Sequence, residues 1–396
     1  MNSATSTDNN QQLPRLTLDD TAVTLTEQLV DIASPSHNEA AIADVVEHAL
    51  RNHFNGRDCS VEIHRFNNNV IARTNYGLPS RVILAGHLDT VPIADNVPSH
   101  RETATVEGQA EEQIWGCGSV DMKSGDAVFL HAFATLADGG LQRDVTLICY
   151  EGEEVASRFN GLGHIAEQHP EWLEGDVAIL GEPSAARIEG GCQGSIRLRI
   201  TAHGTRAHSA RAWMGLNAMH VLSPVISRVA AYQPATVDID GLKYREGLNI
   251  VHCESGVATN TIPDEAWMFV NFRFAPNRTV DEALAHMLEV LDLPEGVSYD
   301  IDDAVSGALP GLSVPAAQEL IDATGEAPAP KFGWTDVARF SELGIPAVNF
   351  GPGDPALCHK RDEHCPVWMI ERASQVILDY LGGAGRWFWS TPSGRR

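Results

Sequence analysis

The stretch VTLICYEGEE, Val145–Glu154, decides the fold. Its first six residues are apolar, β-branched or aromatic without charge alternation, the mark of a strand buried on both faces of a sheet. It then turns at once into three acids, Glu151, Glu153 and Glu154. Two further stretches share this grammar: RVILAGHLD (Arg81–Asp89) and DVAILGEPS (Asp176–Ser184) pass from an apolar run into histidine or carboxylates. Helical patterns lie between them, SGDAVFLHAFATLA (Ser124–Ala137) and GLGHIAEQHP (Gly161–Pro170). Apolar strands alternating with helices predict an α/β fold, a mixed and mostly parallel sheet flanked by helices. Polar groups then gather at strand C-termini, where open sheets of this kind hold their sites.

Beyond Gly190 the texture changes. SIRLRITAH (Ser195–His203) alternates apolar and polar residues, as a half-exposed antiparallel strand does. A helix over about 215–232 follows, then the strands GLNIVHCESGVA and DEAWMFVNFRFAP, a helix VDEALAHMLEVLDL (Val280–Leu293) and a short strand near 297–301. The order β-α-β-β-α-β predicts a ferredoxin-like α+β unit. After the linker SGALPGLSVP (Ser306–Pro315), the strand PAVNFGPG and the helix MIERASQVILDYLGG return to the first texture, so the second domain is inserted into the first. The expected boundaries are a disordered extension over 1–14, a first domain over 15–190 and 305–396, and the insertion over 191–304. The tail RWFWSTPSGRR, with Trp387, Phe388 and Trp389, fits no element of this scheme.

Composition narrows the function classes. With 28 basic and 53 acidic residues the chain carries a formal charge of -25, which argues against nucleic acid or anionic membrane as a partner. No apolar run approaches the roughly 18–20 residues of a membrane helix. The start, MNSATSTDNNQQ, lacks the apolar core of a secretory signal. Seven scattered cysteines with no C-x-x-C pair point to reduced thiols and a cytoplasmic protein.

The candidate chemistry sits at the strand ends. In GHLDTVP, His87 and Asp89 are two apart, so their side chains leave a strand on one side. A carboxylate so placed can hold the far ring nitrogen and aim the near one at a metal. In GCGSVDMKSG, Asp121 follows a glycine turn and precedes a helix. Glu153 and Glu154 are adjacent and face different ways, so one can ligate a cation while the other stands beside a water. Glu182 precedes Pro183 at another strand end, and His359 follows the turn in GPGDPALCHKRDEH. Taken singly these residues read as a surface turn, a helix N-cap, a solvated acidic loop and a buried histidine. Taken together they match two oxygen- and nitrogen-ligated divalent ions with a bridging carboxylate. The lack of thiolate pairs disfavours a structural zinc site.

On these segments, in this order and spacing, the chain resembles the M20 metallopeptidase/amidohydrolase family from about Leu16 to Gly383. The resemblance implies a zinc-peptidase-like catalytic domain and an inserted ferredoxin-like domain that serves as lid and dimerisation surface. It implies two divalent metal ions, zinc first with cobalt or manganese as alternatives. His87 and Glu182 would hold one ion and Glu154 and His359 the other, with Asp121 bridging, Asp89 orienting His87, and Glu153 as general acid/base. It further implies a cis peptide bond between Asp121 and Met122, and a homodimer in which His208 of HGTRAHSA serves the neighbouring subunit.

Within the family, GCQGSIRLRITAHGTRAHSARAWMGLNAMH, YREGLN, ATNTIP, VNFRFAP and GWTDVARF look most like the desuccinylases of actinobacterial type. They imply removal of succinate from N-succinyl-LL-2,6-diaminopimelate, a small molecule of lysine and diaminopimelate biosynthesis. Acetylornithine deacetylase, aminoacylase or dipeptidase chemistry is the alternative, and a non-catalytic metal-binding scaffold the third. Arg273 is the candidate carboxylate clamp, because guanidinium binds carboxylate bidentately. Asn260, Ser306, Gly333 and Thr335 match positions lining the substrate pocket. One departure stands out. Many desuccinylases carry two arginines where this chain has Cys192 and Gln193, leaving Arg197, Arg206, Arg211 or Arg245 to compensate.

Overall fold

The computed structural model describes residues 14–383, so the expected extension over 1–14 (Pro14 apart) and the Trp387–Trp389 tail lie outside the described residues. The described residues divide into two compact units: one takes those up to Ile188, Pro315–Ala327 and those from Asn349 on, the other Glu189–Val314 and Pro328–Val348. The second unit thus takes in 305–314 and 328–348 besides the span 191–304.

The first unit opens with helices α1 (Ala22–Val30) and α2 (Ala40–Phe54) and the hairpin β1 (Val61–Phe66) and β2 (Asn69–Thr74). Then come β3 (Arg81–His87), a second hairpin of β4 (His100–Val106) and β5 (Gln109–Trp115), α3 (Lys123–Leu136), β6 (Asp144–Tyr150), α4 (Gly161–Gln168) and β7 (Val177–Leu180). Within this unit the strand order is β1-β2-β6-β3-β7. The β1–β2 and β2–β6 pairs are antiparallel, whereas β6, β3 and β7 run parallel. All of β6 and β7, and all of β3 after Arg81, are buried. That is why VTLICY shows no alternation: each apolar side chain withdrawn from water there contributes about 1.5–3 kcal/mol on either face. The parallel register pairs His87 with Tyr150 and Ala85 with Leu180, so three strands end along one edge.

The second unit begins with β8 (Glu189–Gly190), β9 (Gly194–His203), β10 (Ala207–His208), α5 (Ala218–Ala231), and the hairpin β11 (Thr236–Ile239) and β12 (Leu242–Arg245). It continues with β13 (Gly247–Ser255), β14 (Thr261–Ile262), β15 (Glu265–Phe274), α6 (Val280–Leu291) and β16 (Val297–Val305). The antiparallel sheet β13-β15-β9-β16 puts the four strands of the β-α-β-β-α-β run in the order second, third, first, fourth, as a ferredoxin-like unit requires. Its alternation has a plain cause: Ile196, Leu198, Ile200 and Ala202 of β9 face a core with Leu222 of α5 and Met287 of α6. The first helix starts later than the sequence suggests, because 209–214 form tight turns and Asn217 caps Ala218. A capping box of Thr279 and Glu282 opens α6.

The remaining elements are α7 (Pro315–Thr324), β17 (Ala329–Pro330), α8 (Val337–Glu342), β18 (Ala347–Asn349), β19 (His364–Pro366) and α9 (Val367–Gly382). In the first unit α3 packs against α1 and α9, and β19 joins the β4–β5 hairpin through β5. No helix among the described residues is long and apolar enough to cross a membrane.

Candidate metal centre

The parallel register brings the chemistry to one edge. Leu88 N–H donates to the Tyr150 carbonyl at 2.7 Å, Gly181 N–H to Ala85 at 3.0 Å, and Phe350 N–H to Leu180 at 2.8 Å. The segments bearing Asp89, Glu153–Glu154, Glu182 and His359 therefore all leave the sheet there. Backbones approach closely enough to exclude side chains: a Cβ on Gly125 would lie 2.0 Å from the Gly181 carbonyl oxygen, and one on Gly351 2.1 Å from the same atom.

The imidazole of His87 is buried, its Nε2 3.2 Å from Asp121 Oδ1. His359 approaches from the other side, Nε2 3.4 Å from Asp121 Oδ2 and 3.1 Å from the Glu154 carboxylate. Three overlapping groups each offer ligand atoms within 4.8 Å of one another: His87 with Glu153 and Glu154, His87 with Asp121 and Glu182, and Asp121 with Glu154 and His359. His87, Asp121 and Glu154 each recur in two of these groups, and Asp121 joins the group of His87 and Glu182 to that of Glu154 and His359, as a bridging carboxylate would. All six expected ligand and base side chains are brought together.

The three glutamates after β6 part company. Glu151 turns away, its carboxylate accepting Asn68 Nδ2 at 2.7 Å and its N–H donating to Asn69 Oδ1 at 3.0 Å, which ties the strand end to the β1–β2 hairpin. Gly152 makes the reversal, at φ +74 and with a hypothetical Cβ 2.3 Å from the Phe159 carbonyl oxygen. Glu153 and Glu154 then face the centre.

Asp89 does more than orient an imidazole. His87 Nδ1 lies 2.9 Å from the Asp89 backbone carbonyl and 3.5 Å from its Oδ1. The carboxylate's shorter contacts are Ser36 Oγ at 2.7 Å and the backbone N–H groups of Glu153 and Glu154 at 3.0 and 3.2 Å. Asp121 is not a helix cap, since Met122 holds that position without a side-chain cap bond. The expected cis Asp121–Met122 bond is present.

Sequence reading missed three residues that shape this centre: Ser36, which pins Asp89; Lys123, whose buried Nζ donates to the Ile32 carbonyl at 2.7 Å; and Glu363, 2% exposed, whose carboxylate accepts three backbone N–H groups of 118–121. Lys123 and Glu363 sit in MKSG and HKRDEH, charged stretches that look like solvated surface.

The electrostatics fit cations. Burial alone would strip His87 of its proton, yet hydrogen bonds to Asp121 and Asp89 raise its pKa well above the ordinary histidine value. Asp121 and Glu154 push His359 up to about 10. Burial would raise Asp121, but hydrogen bonds from His359 and His87 hold it below the usual carboxylate range. Asp121, Glu153, Glu154 and Glu182 leave negative charge in excess over two imidazoles, the charge that divalent ions neutralise. The donors are all oxygen and nitrogen, so the residues present fit two such ions.

The candidate substrate residues fall in the second unit. Strands β10 and β14 pair His208 with Thr261, and Ser209 N–H donates to the Asn260 carbonyl at 2.9 Å, so His208 and Asn260 are neighbours. Trp334 Nε1 donates to the Ser306 carbonyl at 3.0 Å, joining Ser306 to the segment of Gly333 and Thr335. Arg273 stands on the β15 face turned away from the core and makes no ion pair among the described residues. Cys192 and Gln193 are buried, with Sγ on the Thr335 carbonyl at 3.7 Å and Nε2 on the Arg245 carbonyl at 2.6 Å. Of the arginines left to compensate, Arg197 is paired with Asp302 at 2.5 Å and Arg206 with Asp264 at 2.8 Å. Arg211 and Arg245 make no ion pair among the described residues.

Residues 83–382 match Peptidase family M20/M25/M40. A succinyl-diaminopimelate desuccinylase of Corynebacterium glutamicum is 58% identical over 378 residues, covering 94% of this chain and 99% of the relative. Among solved structures, a tripeptidase from Staphylococcus aureus superposes with a TM-score of 0.71 at 19% identity, covering 93% of this chain and 98% of that one. A dinuclear metal-binding M20 peptidase from Bacillus subtilis superposes with a TM-score of 0.63 at 17% identity, covering 91% and 96%.

Proposed function

This chain belongs to Peptidase family M20/M25/M40, and from that membership we propose that it is a dinuclear, zinc-dependent amide hydrolase removing succinate from N-succinyl-LL-2,6-diaminopimelate. The observation that carries this reading is the 58% identity to a desuccinylase across nearly the whole of both chains. The convergence of two histidines and four carboxylates at one sheet edge supports the metal-dependent chemistry. His87 and Glu182 would hold one ion and Glu154 and His359 the other, with Asp121 in reach of both groups.

Two divalent ions, when bound, supply Lewis acidity that polarises the amide carbonyl and acidifies a water. The protein supplies proton traffic and orientation. Glu153 takes a proton from the attacking water at its carboxylate and passes it to the departing amine nitrogen. A C–O bond forms at the succinyl carbonyl, the C–N bond breaks, and succinate and LL-diaminopimelate leave. Asp89 keeps the Glu153–Glu154 turn in place through two N–H bonds. Arg273 receives a substrate carboxylate, with Arg211 and Arg245 as the further open guanidiniums, and Asn260, Ser306, Gly333 and Thr335 line the pocket. In a homodimer His208 serves the oxyanion of the neighbouring subunit. The acidic, thiol-bearing composition suits the cytoplasm.

The test is a panel assay. Zinc-loaded protein should hydrolyse the succinylated substrate with a kcat/KM about 10²-fold or more above acetylornithine, because an unpaired carboxylate pocket costs the acetyl substrate heavily. Preference for the acetyl amine or for dipeptides would overturn the substrate and leave the metal chemistry standing.

A further inference from the structure

The loop that presents Asp121 is buried over 116–120 and has no regular partner strand of its own. Its backbone N–H groups must nevertheless find acceptors. One residue supplies them. Glu363 Oε1 accepts Val120 N–H at 2.8 Å and Asp121 N–H at 3.0 Å, Oε2 accepts Gly118 N–H at 3.0 Å, and the Glu363 carbonyl accepts Gly116 N–H at 3.1 Å. Glu363 lies four residues after His359, and its own N–H donates to the Lys360 carbonyl at 3.3 Å. The following strand β19 is fixed to β5 by the pairs His364 with Trp115 and Cys365 with Ile114.

We infer that Glu363 is a positioning residue for the ligand group of Asp121, Glu154 and His359, setting the Asp121 loop and the His359 segment in register across 242 residues of sequence. The inference rests on the metal-dependent reading above. A carboxylate is needed because the three donors reach both oxygens, and each must accept. Glutamine would turn an NH₂ donor against one set of N–H groups. Asp121, which stands in both ligand groups, is held by this anchor directly and His359 lies four residues before it, whereas Glu182 and His87 do not touch it, so the ion held by His359 is governed more strongly than the other.

Cobalt(II) serves as the metal probe, titrated into metal-free protein by calorimetry and followed through its d–d absorption. In Glu363→Gln the second cobalt should bind about 10–100-fold more weakly with an altered band, the usual weight of an outer partner of a ligand, and the first should lose less because it shares only Asp121 with the anchor. Glu363→Asp, which keeps two acceptor oxygens, should recover part of that loss. A residue that merely stabilises the fold would lower Tm and leave the ratio of the two affinities and the cobalt spectrum of the folded protein unchanged; that result overturns the inference. Wild-type protein provides a measurement independent of variant folding: in the metal-free state the Gly118, Val120 and Asp121 amides should exchange hydrogen slowly, and fast exchange there overturns the anchor. If the wild type itself fails to bind two cobalt ions, the metal reading fails. If it binds two and Glu363→Gln does so with the same affinities, only this inference fails.

Discussion

The Asp89 carboxylate accepts the backbone N–H of Glu153 at 3.0 Å while lying 3.5 Å from His87 Nδ1, so one buried acid links the turn of the proposed base to the imidazole of a proposed metal ligand. Asp89→Asn preserves the volume but sets an amide NH₂ against one of the donors. The expected result is a fall of about 10–100-fold in kcat, the range seen when an outer partner of a metal ligand is changed. Steady-state kinetics on the succinylated substrate decide it. An unaltered kcat would show that neither contact is needed.

Glu153 belongs to the ligand group with His87 and Glu154, yet the proposed reaction uses it as the base rather than as a ligand. Glu153→Ala should keep two metal ions per chain by elemental analysis and lose about 10²–10⁴-fold in rate, the weight of general acid–base catalysis. Loss of an ion along with the rate would make Glu153 a ligand instead.

The convergence of the six expected side chains was legible because each closes an apolar run or follows a glycine turn, and strand ends are where such a sheet collects polar groups. The divergence of Glu151 was not legible, since nothing in EGEE distinguishes the acid that meets Asn68 from those that meet the centre. Lys123 and Glu363 were hidden for a different reason. Burial of a charge is decided by contacts with residues far along the chain, Ile32 for one and 118–121 for the other, and a local window shows only a polar stretch. The ferredoxin-like order followed from alternation, while the β4–β5 hairpin, largely exposed over HRETATV and QAEEQIW, offered no such rhythm.

The raised pKa values of His87 and His359 make metal binding a proton-releasing event. In the metal-free protein near neutral pH His359 carries a proton and His87 is shifted in the same direction, and a ligating histidine must be neutral. Filling both positions with zinc near pH 7.5 should therefore release at least about one proton per chain, that of His359, with His87 adding to it, read from calorimetric heats in buffers of different ionisation enthalpy. For His359 the sign on stability is also fixed. Its folded value of about 10 exceeds the unfolded 6.5, so its contribution in metal-free protein is present below about 6.5 and lost as pH climbs through about 10. Binding heats that do not depend on the buffer would contradict this account.

Asp126 supplies the last test. Its carboxyl is 1% exposed and neither oxygen finds a hydrogen-bond partner among the described residues. It presses on the strand that bears His87: a Cβ on Gly86 would lie 2.1 Å from its Oδ1. Burial pushes this acid from 3.8 up to about 8. The folded protein thus holds a proton that the unfolded chain gives up between those values, and stability falls as pH rises through that window, by at most about 1.4 kcal/mol per pH unit from this group. Asp126→Asn removes the titration while keeping a neutral group of the same shape. The gap between variant and wild-type Tm should widen in the variant's favour from about pH 5 to pH 8. A gap constant across that range would mean that the acid ionises at its ordinary value, and that the wall behind the metal-ligand strand carries a charge.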